Sequence, residues 1–386
     1  MKNPFYFGKE VVGEAFTDRT FEVRGLLSDI EQGLNIIIYS PRRYGKTSLI
    51  KKVLGIARER GIIVLYLDLY PITNFRDFVE IYARALSSSE PPSKLKGFIN
   101  ILGKLIPKLM PKVTLGPKGG AEITFDLGKI FKEKEAVLDD LLEAVHKLAT
   151  RKRKPAVVVF DEFQEIAKLD EAEKLERQIR THIQKQQNVA YIFLGSKRHL
   201  MQDMFKNKNR PLYNCGRHFP LEKISSDDFC VFINQRFAKT GININPNDIR
   251  MILKITECHP YYTQLFCHLL WDNCREQKKI FPNHITAVLS QLLREEEHSY
   301  SIIWDDLSAV QRTLVKALAA DETLPLFSHA FLIKYGLNSA SAVQKARRTL
   351  EKKEIIERGN GHYTISDLFL KKWIARLAHP KTDALE

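Results

Sequence analysis

The sequence contains no run of about 18 uncharged apolar residues, so no membrane-spanning helix is expected. Its opening, Met-Lys-Asn-Pro-Phe-Tyr-Phe-Gly, lacks the apolar segment of a secretory leader, so export is not expected either. Cysteine is scarce and unpatterned. The five residues, Cys215, Cys230, Cys258, Cys267 and Cys274, are odd in number and match no zinc or disulfide spacing. Cys267 and Cys274 fall on one helical face, near His259 and His268 in the chain, an arrangement that suits packed free thiols better than a metal site. A reducing, cytoplasmic compartment follows as the expectation. Acids are missing from one long segment: residues 93–118 hold six lysines and neither Asp nor Glu. Within it Phe98, Ile101, Leu102, Leu105 and Ile106 recur at helical spacing until Pro107. A basic amphipathic stretch of this kind packs on its own domain, lies on a membrane surface, or grips an acidic partner.

What is present bounds the rest. At 386 residues and 44% apolar content the chain is globular and too long for a single compact core, so two or three domains are expected. A formal net charge of +14 favours polyanionic partners, although a solvated basic surface produces the same number.

The most informative stretch is Asn35 to Ile50. An apolar strand (Ile36, Ile37, Ile38, Tyr39) runs into Ser40-Pro41-Arg42-Arg43-Tyr44-Gly45-Lys46-Thr47-Ser48, and an apolar-periodic helix with Leu49, Ile50, Val53 and Leu54 follows. Strand, glycine-containing loop and helix in this order form a phosphate-binding loop: backbone N–H groups and the helix N-terminus make an anion cradle. Lys46 is placed to reach the β- and γ-phosphates of ATP, and the Thr47 hydroxyl to ligate Mg²⁺. Ser40 stands where the usual pattern has its first glycine; it is small enough for the turn. The competing reading is an ordinary turn before a helix.

Further along, Pro155-Ala-Val-Val-Val-Phe-Asp161-Glu162 reads as a buried strand delivering two carboxylates to the edge of a parallel sheet, where ligands bind in such folds. Asp161 is assigned to Mg²⁺ and Glu162 to the attacking water. The next strand, Asn188 to Gly195, ends at Ser196, which either bonds the γ-phosphate or lytic water or simply caps a helix. The sequence thus divides into a nucleotide domain over residues 1–222, a helical domain over 223–300 and a third domain over 301–386. The third reads helix, helix, turn, helix, hairpin, which is a winged helix. Its third helix turns Val343, Ala346 and Leu350 inward. Ser341, Gln344, Lys345 and Arg348 then face outward, with Lys352 one turn on and with Arg358 and His362 flanking a glycine turn. Gln and Arg on such a face can read base edges and Lys and Ser can hold phosphates, which makes double-stranded DNA a candidate partner. Winged helices also dock proteins.

With these residues in place the chain resembles the AAA+-like ATPases of archaea and some bacteria, relatives of the STAND signalling NTPases and the archaeal replication initiators. The resemblance rests on Phe16-Thr-Asp-Arg19, Ser40 to Thr47, Phe160-Asp-Glu-Phe-Gln164, Leu194-Gly-Ser196, Cys258-His-Pro-Tyr261 and Ser366-Asp-Leu-Phe369 with Trp373. It implies an α/β core with a parallel 5-1-4-3-2 sheet, a helical lid and a C-terminal winged helix. It also implies that Asp18 and Arg19 lie near the adenine, that Pro260 touches the base from the lid, and that an arginine acts on a neighbouring copy's γ-phosphate in a homo-oligomer. Arg217 is taken for that role, with Arg210 beside it as the other candidate. Cys258 departs from the lid motif, which carries glycine there. The expected activity is Mg²⁺-dependent ATP hydrolysis coupled to movement of lid and winged helix. The output is DNA binding or, in a STAND-like switch, binding of a protein partner.

Overall fold

Each continuous apolar run becomes a strand of one parallel sheet. In the computed structural model, residues 1–8, 19–89, 110–115, 121–126, 134–321, 325–337, 339–359 and 362–378 are described. The sheet contains β1 (Ile36–Tyr39), β2 (Ile63–Asp68), β5 (Ala156–Asp161), β6 (Val189–Gly195) and β7 (Arg217–Pro220), in the order β2-β5-β6-β1-β7. Counted among themselves the five strands run 2-3-4-1-5, which is the expected 5-1-4-3-2 order read from the other edge. Every pairing is parallel.

Side-chain alternation sends each central strand's residues to two separate cores. On one face Leu65, Leu67, Val158, Phe160, Tyr191 and Phe193 pack with α3 (Phe75–Ser87), α4 (Lys134–Lys152), α5 (Ala172–Lys185) and α6 (Arg198–Lys206). On the other, Ile36, Ile38, Val64, Val157, Val159 and Ile192 pack with α1 (Thr20–Glu31) and α2 (Lys46–Glu59). Burial on both faces explains why these strands are uninterrupted apolar runs.

The basic stretch is corrected in part. Its apolar helical pattern at residues 98–106 lies outside the described residues. Residues 110–115, however, form β3 (Met110–Leu115), paired antiparallel with β4 (Ala121–Asp126). The alternation Val113, Leu115 and Ile123, Phe125 was hidden in the sequence by the lysines and prolines around it.

The chain divides into two compact units. One comprises Tyr6–Asp228 with His259–Tyr261; the other comprises Met1–Phe5, Phe229–Cys258 and the residues from Tyr262 onward. Helical elements of the second region are α7 (Ser226–Ala238), α8 (Pro246–Thr256), α9 (Pro260–Cys274), α10 (Pro282–Glu295) and α11 (Glu297–Asp305). There follow α12 (Ala309–Ala320), α13 (His329–Lys334), α14 (Ala340–Lys352), β8 (Ile356–Gly359), β9 (His362–Ile365) and α15 (Leu368–Ala378). The last six elements have the winged-helix order, with β8 and β9 antiparallel. Val343, Ala346 and Leu350 are buried on α14, and Trp373 of α15 packs against Trp304 with ring centroids 6.2 Å apart. Among the described residues no helix is long and apolar enough to cross a membrane.

Candidate nucleotide site

The loop after β1 turns through two left-handed residues, Arg43 with φ 67° and Gly45. Gly45 caps α2 with φ +84°, a left-handed conformation that costs an L-residue about 1–2 kcal/mol. Ser40 does not have positive φ, so the serine in place of the first glycine meets no backbone penalty. The loop delivers Lys46 as the first residue of α2. Its ammonium is buried and donates to the carbonyl oxygens of Ser40 at 2.9 Å and Pro41 at 3.1 Å. The first N–H groups of α2 have no carbonyl within the helix to bond, and a concentrated positive end results.

Parallel pairing in the order β5-β6-β1 brings the ends of these strands to the same edge as the loop. The Thr47 hydroxyl donates to Asp161 Oδ2 at 3.0 Å, across 114 positions of sequence. Asp161 also accepts from the Tyr66 hydroxyl on Oδ2 at 2.5 Å and from the Glu162 backbone N–H on Oδ1 at 2.9 Å. Burial raises the Asp161 carboxyl above its ordinary value; the Tyr66 hydrogen bond opposes that rise and the Glu162 charge adds to it. A carboxylate so desolvated gains from a nearby cation. The Thr47 oxygen, with its hydroxyl proton directed at Asp161, keeps lone pairs for a metal. Two hard oxygen donors suit Mg²⁺, which takes one or two protein oxygens and completes its shell with phosphate and water. Among the described residues no cluster of three or more His, Cys, Asp and Glu side chains could hold a metal ion.

Glu162 is held in turn. Its Oε2 accepts from the Ser196 hydroxyl at 2.6 Å and from the Gln164 amide at 2.5 Å. Its backbone is left-handed, φ 52°, as the chain turns from β5 into a 3₁₀ turn over Phe163–Lys168. Gln164 is buried, and a Cβ on Gly195 would stand 2.4 Å from the buried Met201 side chain and 2.7 Å from Gln164 Oε1, so any larger residue there would displace them. Ser196 therefore meets Glu162 directly, whereas the sequence offered it a phosphate, a water or a helix cap. In the sequence Tyr66 has no assigned role, and Gln164 appears only as the end of the Phe160–Gln164 motif. Tyr66 was legible as the one hydroxyl in an apolar strand, and Gln164 follows Glu162 by two positions.

Pro41, Arg42, Arg43, Tyr44 and Ser48 all lie in or beside the loop. Arg43 sits over the Tyr261 ring at 4.4 Å and Tyr44 meets His259 edge-on at 4.8 Å, so the 259–261 segment that contains Pro260 borders the loop tip. Cys258 just before it has φ 53°, the conformation for which a glycine is the strain-free choice. Asp18 lies outside the described residues. Arg19 is buried and donates to the carbonyls of Glu222 at 3.0 Å and Tyr44 at 3.4 Å and to Glu22 at 3.0 Å. It ties the loop to α1 and to the segment after β7.

Two arginines are not brought to the loop. Arg217 pairs in register with Ile36, three residues (about 10 Å) before the edge where Lys46 emerges, and bonds Asp29 of α1. Arg210 bonds Glu176, whose side chain is fully buried. Burial pushes the Glu176 carboxyl up to about 7, with the Arg210 charge pulling it down. This pair has a testable role. Arg210→Ala should cost up to about 3–5 kcal/mol at alkaline pH, where the buried Glu176 carboxyl must either ionise without its partner or hold a proton against the solvent. Without Arg210 the folded-state value rises further above the ordinary 4.5, so stability is present at low pH and lost as pH rises through that value. Chemical denaturation at about pH 5.5 and pH 8 should show a smaller deficit at the lower pH.

Residues 16–266 match the family described as "ATPase domain predominantly from Archaea", which is more than half of the chain. The protein belongs to this family of ATPases. Residues 298–376 match a second family, described as "Probable winged helix domain". Among solved structures, a Walker-type ATPase of Pyrococcus abyssi is similar over 96% of this chain and 99% of its own, with a TM-score of 0.66 and 16% identity. The ORC2 protein of Aeropyrum pernix, in ADPNP–ADP complexes, is similar over 95% of this chain and 96% of its own, with a TM-score of 0.53 and 13% identity. At these identities the likeness is one of fold, and the fold of this archaeal-type ATPase is AAA+-like. No curated protein matches.

Within the winged-helix unit, Ser341, Gln344, Lys345, Arg348 and Lys352 are exposed on α14, and Arg358 of β8 and His362 of β9 are exposed on the wing. Arg347, which the sequence reading passed over, bonds Glu351 and the Tyr363 hydroxyl, both at 2.7 Å, and fixes the wing against the helix.

Proposed function

We propose that this ATPase binds ATP with Mg²⁺ at the 40–48 loop and uses hydrolysis to control engagement of duplex DNA by its winged helix. The observation that supports the chemistry best is the convergence of Thr47, Asp161, Glu162 and Ser196 through direct hydrogen bonds, with Lys46 beside Thr47 at the head of α2 and bonded to the loop carbonyls of Ser40 and Pro41. In this reading Lys46 exchanges two backbone carbonyls for phosphate oxygens. Thr47 and Asp161 hold the cation, which when bound neutralises charge on the β- and γ-phosphates. Glu162 keeps Oε2 on Ser196 and Gln164 and turns Oε1 to a water, orienting it for in-line attack. Arg217, held away from the loop by Asp29, has no part in hydrolysis within one chain.

The nucleotide state reaches outward through the loop tip. Phosphate binding that reshapes Arg43 and Tyr44 also shifts Tyr261 and His259, which pack on them, and with these the start of α9. ADPNP and ADP are bound in the ORC2 structure of similar fold, in keeping with a nucleotide in this core.

For the output, the exposed set Ser341, Gln344, Lys345 and Arg348 suits a helix lying in a major groove, and the net charge of +14 suits a polyanion. A protein partner on the same face is the second reading, favoured by Glu351, Glu354 and Glu357 nearby, which dilute the positive patch. Duplex binding by wild type and by Lys345→Ala/Arg348→Ala, at two salt concentrations, separates them. The double substitution should weaken binding and reduce the salt slope by about two, one for each lost phosphate contact. ATP turnover without DNA should be unchanged. Equal duplex binding by both proteins, or none by either, points to the protein partner.

A further inference from the structure

Of the contacts to Asp161, the Tyr66 hydroxyl makes the shortest, 2.5 Å to Oδ2, against 3.0 Å for Thr47 and 2.9 Å for the Glu162 N–H. Register explains the meeting. In the parallel pairing of β2 with β5, Tyr66 lies beside Val159 and Asp68 beside Asp161. Alternation then places Tyr66, Val159 and Asp161 on one face, the face that α2 covers with Leu49, Ile50 and Val53. Lys51, one turn beyond Thr47 on α2, stands 5.3 Å from the Tyr66 ring centroid. The phenol is thus held between a strand and the very helix that carries the loop lysine and threonine.

An aspartate carboxylate turns about a broad, two-fold torsion, so its own backbone does not fix which oxygen faces a ligand. Here one oxygen is fixed by the Glu162 N–H and the other by Tyr66 together with Thr47. We propose that Tyr66 is a positioning residue for the cation arm of the nucleotide site. Its hydroxyl sets the orientation in which Asp161, with Thr47, receives Mg²⁺. The inference rests on the nucleotide reading above, and it assigns Tyr66 no contact with the nucleotide itself. Groups that orient metal-binding carboxylates in this indirect way commonly govern metal affinity by 10- to 100-fold.

Tyr66→Phe in the full chain removes the hydroxyl and keeps the ring. Binding of a fluorescent ADP analogue, followed in EDTA and across a Mg²⁺ titration, is the measurement. In EDTA the variant should bind like wild type. The half-saturating Mg²⁺ concentration should rise about 10-fold or more, and Mn²⁺ bound alongside ADP, read by electron paramagnetic resonance, should fall in parallel. Asp161→Asn supplies the reference for a lost cation arm: adding Tyr66→Phe to it should change the Mg²⁺ dependence no further, because Tyr66 acts through Asp161. A purely structural hydroxyl would lower the melting temperature and leave the Mg²⁺ titration in place. That result, or additive effects in the double variant, overturns the inference. Loss of Mg²⁺-dependent binding in the wild type would instead sink the nucleotide reading beneath it.

Discussion

Glu162→Gln is expected to bind ATP as wild type does and to hydrolyse it at least about 10²-fold more slowly. The substitution keeps size and shape. Its amide oxygen can still accept from Ser196 and Gln164, as Oε2 of Glu162 does at 2.6 and 2.5 Å. What it loses is the second carboxylate oxygen, the one available to accept a proton from water. The turn at residue 162 has φ 52°, a backbone requirement equal for Glu and Gln, so the strand end and Asp161 stay in place. Single-turnover hydrolysis and equilibrium binding of an ATP analogue separate the two effects. Turnover at the wild-type rate would remove Glu162 from the role of water-positioning group and leave Ser196 or a group outside the described residues in its stead.

Burial patterns carried most of the fold in advance. Ile36 to Tyr39, Ala156 to Phe160 and Val189 to Gly195 are apolar throughout because both faces of each strand are covered, and that marks a parallel sheet between helical layers. Loop and carboxylates could then be placed at one edge from strand direction. Which side chains meet was not legible, because it is decided by register between strands far apart in sequence. Nothing local to Ile62–Asp68 says that Tyr66 ends beside Asp161; that depends on β2 pairing with β5 in one alignment rather than another. Arg19 likewise reads as a ligand-facing arginine next to Asp18, yet its donors go to the carbonyls of Tyr44 and Glu222, one of them 203 positions away. Arg210 and Arg217 look alike in a basic segment. One is sunk against Glu176 and the other sits at the start of β7 against Asp29, a difference of environment that charge counting does not contain. On α14, by contrast, a single helical period fixed both faces: Val343, Ala346 and Leu350 inward, Gln344, Lys345 and Arg348 outward.

Lys46→Ala is expected to lose nucleotide affinity by about 10²-fold or more while leaving the protein folded. Truncating one partner of a buried, hydrogen-bonded charge pair costs roughly 2–5 kcal/mol of binding, and Lys46 is the buried cation at the head of α2. The structural loss is smaller, because the partners it leaves, the carbonyls of Ser40 and Pro41, are neutral, at about 0.5–1.5 kcal/mol per hydrogen bond. Arg43 and Gly45, which set the loop's course, are untouched. Lys46→Arg should bind poorly as well: a planar guanidinium does not replace a compact ammonium that reaches two carbonyls of a tight loop. Calorimetric titration with ADP and Mg²⁺, with thermal unfolding measured alongside, distinguishes lost binding from lost structure. Set beside Glu162→Gln, the prediction is a clean division, one variant that cannot hold the nucleotide and one that holds it and cannot cleave it. Wild-type ADP affinity in Lys46→Ala would mean that the cradle of backbone N–H groups suffices and that the lysine serves only to close the loop on itself.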